Sequence, residues 1–478
     1  MKGIKFQIFE ESECEMIVET AKRVLEQTGC EVLHEGARDI LAKAGCVVCG
    51  ARVRIPAAVV ENALKTVPDE IDIYSRDGEK AMTLKARGGE SYFGAGVMSA
   101  TRYDYKAKEN HPTGRRDAFE TGLVIDALPN IDVATGLAFL SDVDVSVSDI
   151  HEVRQVIEAT SKPILILSFD LEGTKAQIEL LAAAVGGMDR LREKPCVIAG
   201  ASSSPPLKHS FEAMDRLIYM FEAGVPTPYM CSPMVGMSAP TTLAGACVMG
   251  LCDCFAGMVI SQAIRPGCPF MGALLMDCLE MRQMKFAMTS PEFTLGSAAS
   301  GDLFRYLNIP SVTHFGCTDS PVFDQQAAAD ITMQIYSALL CKTSFSFFLG
   351  YLESANSSSL EALVFADEVI DMLRHVTKGI EVNKETLAEE TINQVGSDGN
   401  FMGEDHTLAH FRENWSSIDF IHEDYTAWTA AGGKDYYARA SEKVEQIISR
   451  GVRHPLTEEK LKSLDDIIAD AERRRGLA

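Results

Sequence analysis

From Ser91 onward the chain repeats one unit eight times: a short apolar run, a loop of small or polar residues, then a longer stretch of helical pattern. The runs end at Gly96, Leu140, Asp170, Ser204, Pro233, Asp277, Asp319 and Ser354, as in PILILSFD, CVIAGASSS and FSFFLGYLES. Each run lacks the polar and apolar alternation of a half-exposed strand, so both of its faces must be buried, as in a parallel sheet covered by helices. Eight such units in succession predict an α/β chain folded as a (β/α)8 barrel, the TIM barrel. That fold gathers its reacting groups at the carboxyl ends of the strands, so a few short loops are the place to look for chemistry.

The 478 residues exceed one plain barrel and leave room for additions. Residues 1–90 read as a small N-terminal α/β cap, 91–378 as the barrel, and 379–478 as a helical C-terminal extension packed on it. In the cap, Met16, Ile17, Ala21, Val24 and Leu25 share one helical face that ends near Gly29. Pro56 opens the helix PAAVVENALKTVP, and EIDIYSRDG alternates like a strand running into a turn.

A formal net charge of −23 argues against nucleic acid, whose phosphates need clustered Lys and Arg, and against an anionic membrane surface. No stretch reads as long and uniform enough to span a bilayer, and MKGIKFQIFEESE lacks the apolar core of a secretion signal. These features point to a cytoplasmic enzyme. The 13 cysteines are odd in number and scattered, as at Cys196, Cys231 and Cys341, which fits buried small apolar residues rather than a disulfide framework. Barrels of this size commonly self-associate, which leaves a homo-oligomer open.

The seventh and eighth strand ends are the most polar and aromatic. The seventh offers His314, Phe315, Cys317, Thr318 and Asp319; the eighth offers Phe347, Phe348, Tyr351 and Glu353; the first adds Tyr92, Phe93 and, further on, Tyr103. Rings around one mouth can cage a quaternary ammonium by cation–π attraction, at roughly 0.5–2 kcal/mol per ring. Any one of them, taken alone, reads first as barrel core or helix packing; the cluster is the stronger signal. His314, Cys317 and Cys231 offer the nitrogen and sulfur ligands of a thiol-activating zinc site, but their spacing carries no metal signature. Cys46 and Cys49 form a lone CxxC in a strand-like context, CVVCGARVRIP. Asp319 and Glu353 are candidate catalytic carboxylates, or caps and ion pairs of the following helix. The loop SSSPPL has the hydroxyls of a phosphate cradle without its glycines or lysine, and reads as a turn.

The stretches SSSPPL, MSAPTTLAGA from Met237, RPGCP from Arg265, GCTDS from Gly316, GYLES from Gly350, GIEVNKETLA from Gly379 and HTLAHFREN from His406, taken in order, resemble the trimethylamine:corrinoid methyltransferase family over nearly the whole chain. The resemblance implies a barrel that takes a methyl group from an amine and gives it to the Co(I) corrinoid (cobalamin) of a separate carrier protein. It further implies the branch without pyrrolysine, because the region of the seventh strand end holds only ordinary residues. That branch demethylates betaines and related quaternary amines.

Attack of Co(I) on an N-methyl group is an in-line displacement with a neutral tertiary amine as leaving group, so no general acid is needed at nitrogen. Positioning and exclusion of water should dominate. A carboxylate tight against nitrogen would stabilise the ground state more than the transition state, so Tyr92, Phe93, Phe315, Phe347 and Tyr351 are the cage candidates and Asp319 and Glu353 orienting groups. A betaine carboxylate would need separate donors, for which His314, Arg102, Thr318 and Ser202 to Ser204 are available. HTLAHFREN reads first as plain packing against the barrel edge, through His406, His410, Phe411 and Trp415, and second as a dock for the carrier. Two other readings stay open: a zinc-dependent thiol or alcohol methyltransferase, and a non-catalytic barrel that binds a betaine.

Overall fold

The computed structural model describes residues 6–477. At its centre a seven-stranded parallel sheet curls into a nearly closed barrel. Its strands are Tyr92–Ala95, Ile164–Leu167, Val197–Ser202, Thr227–Cys231, Phe270–Leu274, Ser311–Thr313 and Phe345–Leu349. The last pairs with the first, Phe345 opposite Tyr92 and Ser346 opposite Phe93. Between Tyr92–Ala95 and Ile164–Leu167 the gap is spanned only by single parallel bridges, Gly94 to Val133 and Ala134 to Ile164. Seven of the eight apolar runs therefore make ladders where expected. VATGLAFL makes only these two bridges, because the chain turns away at Leu137, which adopts φ 49°.

Eight helices cover the outside: Arg115–Ala127, Ser148–Ala159, Leu171–Val185, Phe211–Ala223, Leu243–Ile264, Pro291–Leu307, Gln325–Cys341 and Leu360–Thr377. The loops that leave the strand ends start these helices crisply. At Asp170, Ser210, Ser290, Asp324 and Ser359 the side chain accepts a hydrogen bond from a first-turn amide, satisfying a donor the helix itself cannot. Leu243–Ile264 is the one described helix long and apolar enough to cross a membrane, contrary to the reading from sequence. Its most apolar stretch is 72% buried within the fold, which accounts for an apolar face all round.

Val133, Leu165, Ile198, Met230, Met271, Val312 and Phe345 fill the barrel interior. They form one cluster with Ile71, Ile73, Met82 and Leu84 of the antiparallel hairpin Glu70–Tyr74 and Lys80–Lys85. The hairpin lies across the amino-terminal ends of the strands. The Tyr74 amide donates to the Pro195 carbonyl, the Arg76 amide to that of Ser161, and the Ser344 hydroxyl to that of Lys85. The segment read as a strand in the cap is thus half of a plug that seals the barrel floor.

The first helix, Glu11–Gln27, buries Cys14, Ile17, Val18, Ala21 and Leu25. Met16, read on that face, is 68% exposed, because the true stripe runs one residue out of phase with it. Gly29 is required where it stands: φ is 70°, and a Cβ would lie 2.2 Å from the Val53 carbonyl oxygen. All 13 cysteines are unpaired and every one but Cys49 is buried. Cys46 precedes the short strand Val47–Cys49, which pairs with Arg52–Arg54. At the other end of the chain, helices Tyr436–Arg450 and Glu458–Arg474 pack on the barrel helices, and the Arg475 guanidinium forks onto Asp170 at 2.9 and 2.7 Å. Between residues 374 and 436, all of them described, none is buried.

Candidate active site

The carboxyl-terminal mouth of the barrel is where backbone strain collects. Met98, Leu137, Leu207 and Phe348 adopt positive φ, as do the consecutive residues Glu353, Ser354 and Ala355. Such conformations cost about 1–3 kcal/mol each and persist where the surroundings enforce them, commonly at functional sites. At the eighth strand the cause is visible. The register with the first strand slips between Phe347 and Leu349, and Phe348, at φ 150°, turns toward the mouth instead of outward.

That turn brings five rings together. His314 lies 4.4 Å from Phe293 and 5.3 Å from Phe348 between ring centroids, the latter edge-on. Phe348 meets Phe347 at 5.0 Å and Tyr351 at 5.1 Å, again edge-on. Phe293 is delivered by the first turn of Pro291–Leu307, capped by Ser290 with Pro291 in the opening position. The Tyr351 hydroxyl is gripped by Val97, accepting from its amide at 2.6 Å and donating to its carbonyl. Gly96 makes room for that ring, since a Cβ there would lie 2.4 Å from it.

His314 is 1% exposed and neither ring nitrogen has a hydrogen-bond partner among the described residues. The nearest charge is Asp277, whose Oδ1 lies 3.4 Å from Nε2. Buried polar groups are normally satisfied, so an orphaned imidazole at a barrel mouth marks a place where something else supplies the partner. Beside Val97, Glu152 is buried under Gly136, where a Cβ would clash with Glu152 Cγ at 2.4 Å. Burial, assisted by nearby Asp149, pushes the Glu152 carboxyl up to about 8; Asp149 itself is pushed up to about 6 by burial. Glu152 borders a small enclosed cavity shared with Val97, Met98 and Thr135. Nothing in the sequence pattern singled it out, since it sits inside an ordinary amphipathic helix.

Asp319 is fully engaged. It accepts from the amides of Met288 and Thr289 at 3.0 and 3.1 Å and from the hydroxyls of Thr289 and Ser354, both at 2.7 Å. From the loop after the sixth ladder strand it thereby ties the loop after the fifth to the loop after the last. Glu353 is exposed, its amide donating to the Ser320 carbonyl at 2.8 Å. Gln334 adds a second tie, accepting from the Gly316 and Cys317 amides and donating to the Met288 carbonyl.

Of the residues singled out from sequence, His314, Phe347, Phe348 and Tyr351 come together, joined by Phe293. Four do not join them. Tyr92 is on the interior face but at the floor, beside the plugging hairpin. Phe93 faces outward, where the Arg374 guanidinium lies 5.8 Å from its ring. Phe315 alternates outward into the helix layer. Arg102 is buried away from the mouth, paired with Asp117 at 3.0 Å and Glu120 at 3.4 Å and donating to Thr121. His314, Cys231 and Cys317 do not form a ligand set. Cys317 donates to Met288 and Gln334, burial keeps its thiol protonated, and no three His, Cys, Asp or Glu side chains among the described residues converge as metal ligands.

Residues 2–476 match the family model described as trimethylamine methyltransferase (MTTB). The chain is 30% identical over 427 residues to the trimethylamine methyltransferase MttB of Desulfitobacterium hafniense, covering 89% of this chain and 86% of the relative. It is 27% identical over 476 residues to a glycine betaine methyltransferase of the same species, covering 99% and 98%. In fold it is similar to the crystal structure of the Methanosarcina barkeri monomethylamine methyltransferase, with a TM-score of 0.55 at 11% identity over 93% of this chain and 89% of the other.

Proposed function

The chain belongs to the trimethylamine methyltransferase family and is a methyltransferase, and from that premise we propose that it moves a methyl group from a quaternary, betaine-like amine to the Co(I) corrinoid of a separate carrier protein. The observation that carries the substrate class is the ring cluster at the mouth, Phe293, Phe347, Phe348 and Tyr351 around an unpartnered His314. The barrel is read as a (β/α)8 barrel in which residues 133 and 134 are a reduced second strand.

The carrier's corrinoid, as Co(I), supplies the nucleophile that accepts the methyl group. In this reading, which rests on membership of the family, the corrinoid comes with the carrier and is not held by this chain. The ring faces hold the cationic nitrogen without a counter-charge, which loses less stabilisation as the charge disperses than a carboxylate contact would. His314, whose ring nitrogens have no hydrogen-bond partner among the described residues, donates to the substrate carboxylate. Asp319, occupied by four donors, fixes the rim and takes no part in proton transfer. Mixing anaerobic protein with cob(I)alamin, and then with a carrier-bound corrinoid, across glycine betaine, proline betaine, carnitine, choline and tetramethylammonium tests the reading. Formation of methylcob(III)alamin with one of these amines is the expected result. Failure with every amine and both corrinoid forms would overturn it.

A further inference from the structure

The helix Ser148–Ala159 carries a buried carboxyl where an apolar side chain would fill the space at lower cost. Because residues 133 and 134 make only single bridges, no ladder strand screens this helix from the barrel at Thr135 and Gly136, and Glu152 turns into that gap. Gly136 does not adopt positive φ, so its missing side chain serves space and not backbone: a Cβ would lie 2.4 Å from Glu152 Cγ and 2.7 Å from Oε1. The small cavity beside the carboxyl is bordered by Val97 and Leu167, and both pack against the interior cluster that holds Phe347 and is flanked by Phe348. Val97 is also the residue that grips the Tyr351 hydroxyl. Glu152 thus stands behind the ring cluster, with Val97 as the shared neighbour.

We propose that Glu152 is a specificity-determining residue: as a neutral carboxyl it admits the carboxylate of a betaine, and as a carboxylate it turns the same site against betaines and toward cations that carry none, a role that rests on the ring cluster being the quaternary-ammonium site of the proposed function. A negative charge behind the rings repels a substrate carboxylate held at His314 and attracts the ammonium, which strengthens the ground state. Keeping the group protonated removes both effects. Burial does so, assisted by Asp149 one turn earlier on the same helix, raising the Glu152 carboxyl to about 8. Asp149, at about 6, is mostly ionised at neutral pH; it accepts from Gln177, and Asp170 and Arg475 act on it from beyond. From the loop after the last strand comes Tyr351, whose hydroxyl burial holds well above the usual phenol range. The other elements packed on this helix bring no further charge to Glu152. Helix Arg115–Ala127 sets Ala118 against Gly136, strand Ile164–Leu167 is aliphatic throughout, and Glu472 and Asp465 of the last helix are taken by His151 and Arg154.

Direct binding tests this without turnover. Calorimetry on the full chain gives dissociation constants for glycine betaine, proline betaine, carnitine and tetramethylammonium from pH 7 to pH 9.5, a range in which none of the four ligands titrates. Expected is a preference for a betaine over tetramethylammonium that falls at least fivefold across the range, the betaine binding more weakly and tetramethylammonium more tightly. In Glu152→Gln, neutral throughout, the preference should move less than twofold. Asp149→Asn removes the charge that holds Glu152 neutral, so the change should set in at lower pH than in wild type. A carboxyl that only fills space would move all four constants together. A wild-type preference indifferent to pH, or one that falls equally in Glu152→Gln, would overturn the role of Glu152 and leave the ammonium site standing. Binding of none of the four would overturn both.

Discussion

Phe348 shows how a single residue can set a site that periodicity hides. In the run FSFFLGY, strict alternation would point it outward, and the slip between Phe347 and Leu349 turns it to the mouth instead. Phe348→Ala should raise the Michaelis constant for a quaternary amine about tenfold, the equivalent of roughly 1.4 kcal/mol, with Phe348→Tyr close to wild type. His314→Ala should raise it more for a carboxylated amine than for tetramethylammonium, and equal effects would remove His314 from carboxylate binding. Glu152 carries a pH signature. Its folded value of about 8 lies above the ordinary 4.5, so its contribution to stability is complete below about pH 4.5 and is lost as the pH rises through about 8. Glu152→Gln should therefore raise the melting temperature relative to wild type more at pH 8.5 than at pH 5. The sequence placed His314 and Tyr351 at strand ends, where the structure has them; it could not show the burial of Glu152, which depends on Gly136 packing onto it from another loop.

Among the elements, the repeat of apolar run and helix was legible because a parallel strand buried on both faces has no other pattern. What it could not show is where each strand stops. His314 to Asp319 continue an apolar run but already belong to a loop, pulled from the sheet by Gln334 and Asp319. The hairpin Glu70–Tyr74 and Lys80–Lys85 was legible as a strand and turn, yet its position on the barrel floor is a tertiary fact. The clamp at Asp319 belongs to this scale. Asp319→Ala leaves the Met288 and Thr289 amides without their acceptor, so their hydrogen exchange should rise at least tenfold while amides of the floor hairpin stay protected. Equal exchange at both places would show that Asp319 holds the whole barrel and not the rim.

For the molecule as a whole, length and charge were read directly, whereas the division of the C-terminal extension was not. Helical pattern alone does not tell a helix packed on its own chain, such as Tyr436–Arg450, from the exposed stretch that precedes it, where HTLAHFREN leaves Leu408 and Phe411 61% and 49% exposed instead of packing plainly. The sealed floor has a kinetic corollary. With Ile71, Ile73, Met82 and Leu84 filling one end, traffic to the rings passes through the mouth, which a docked carrier would cover. The amine must then enter before the carrier arrives, and the demethylated amine must wait until the methylated carrier has gone. In steady state that product should inhibit competitively against the amine and noncompetitively against the carrier, the signature of a compulsory queue at a single door.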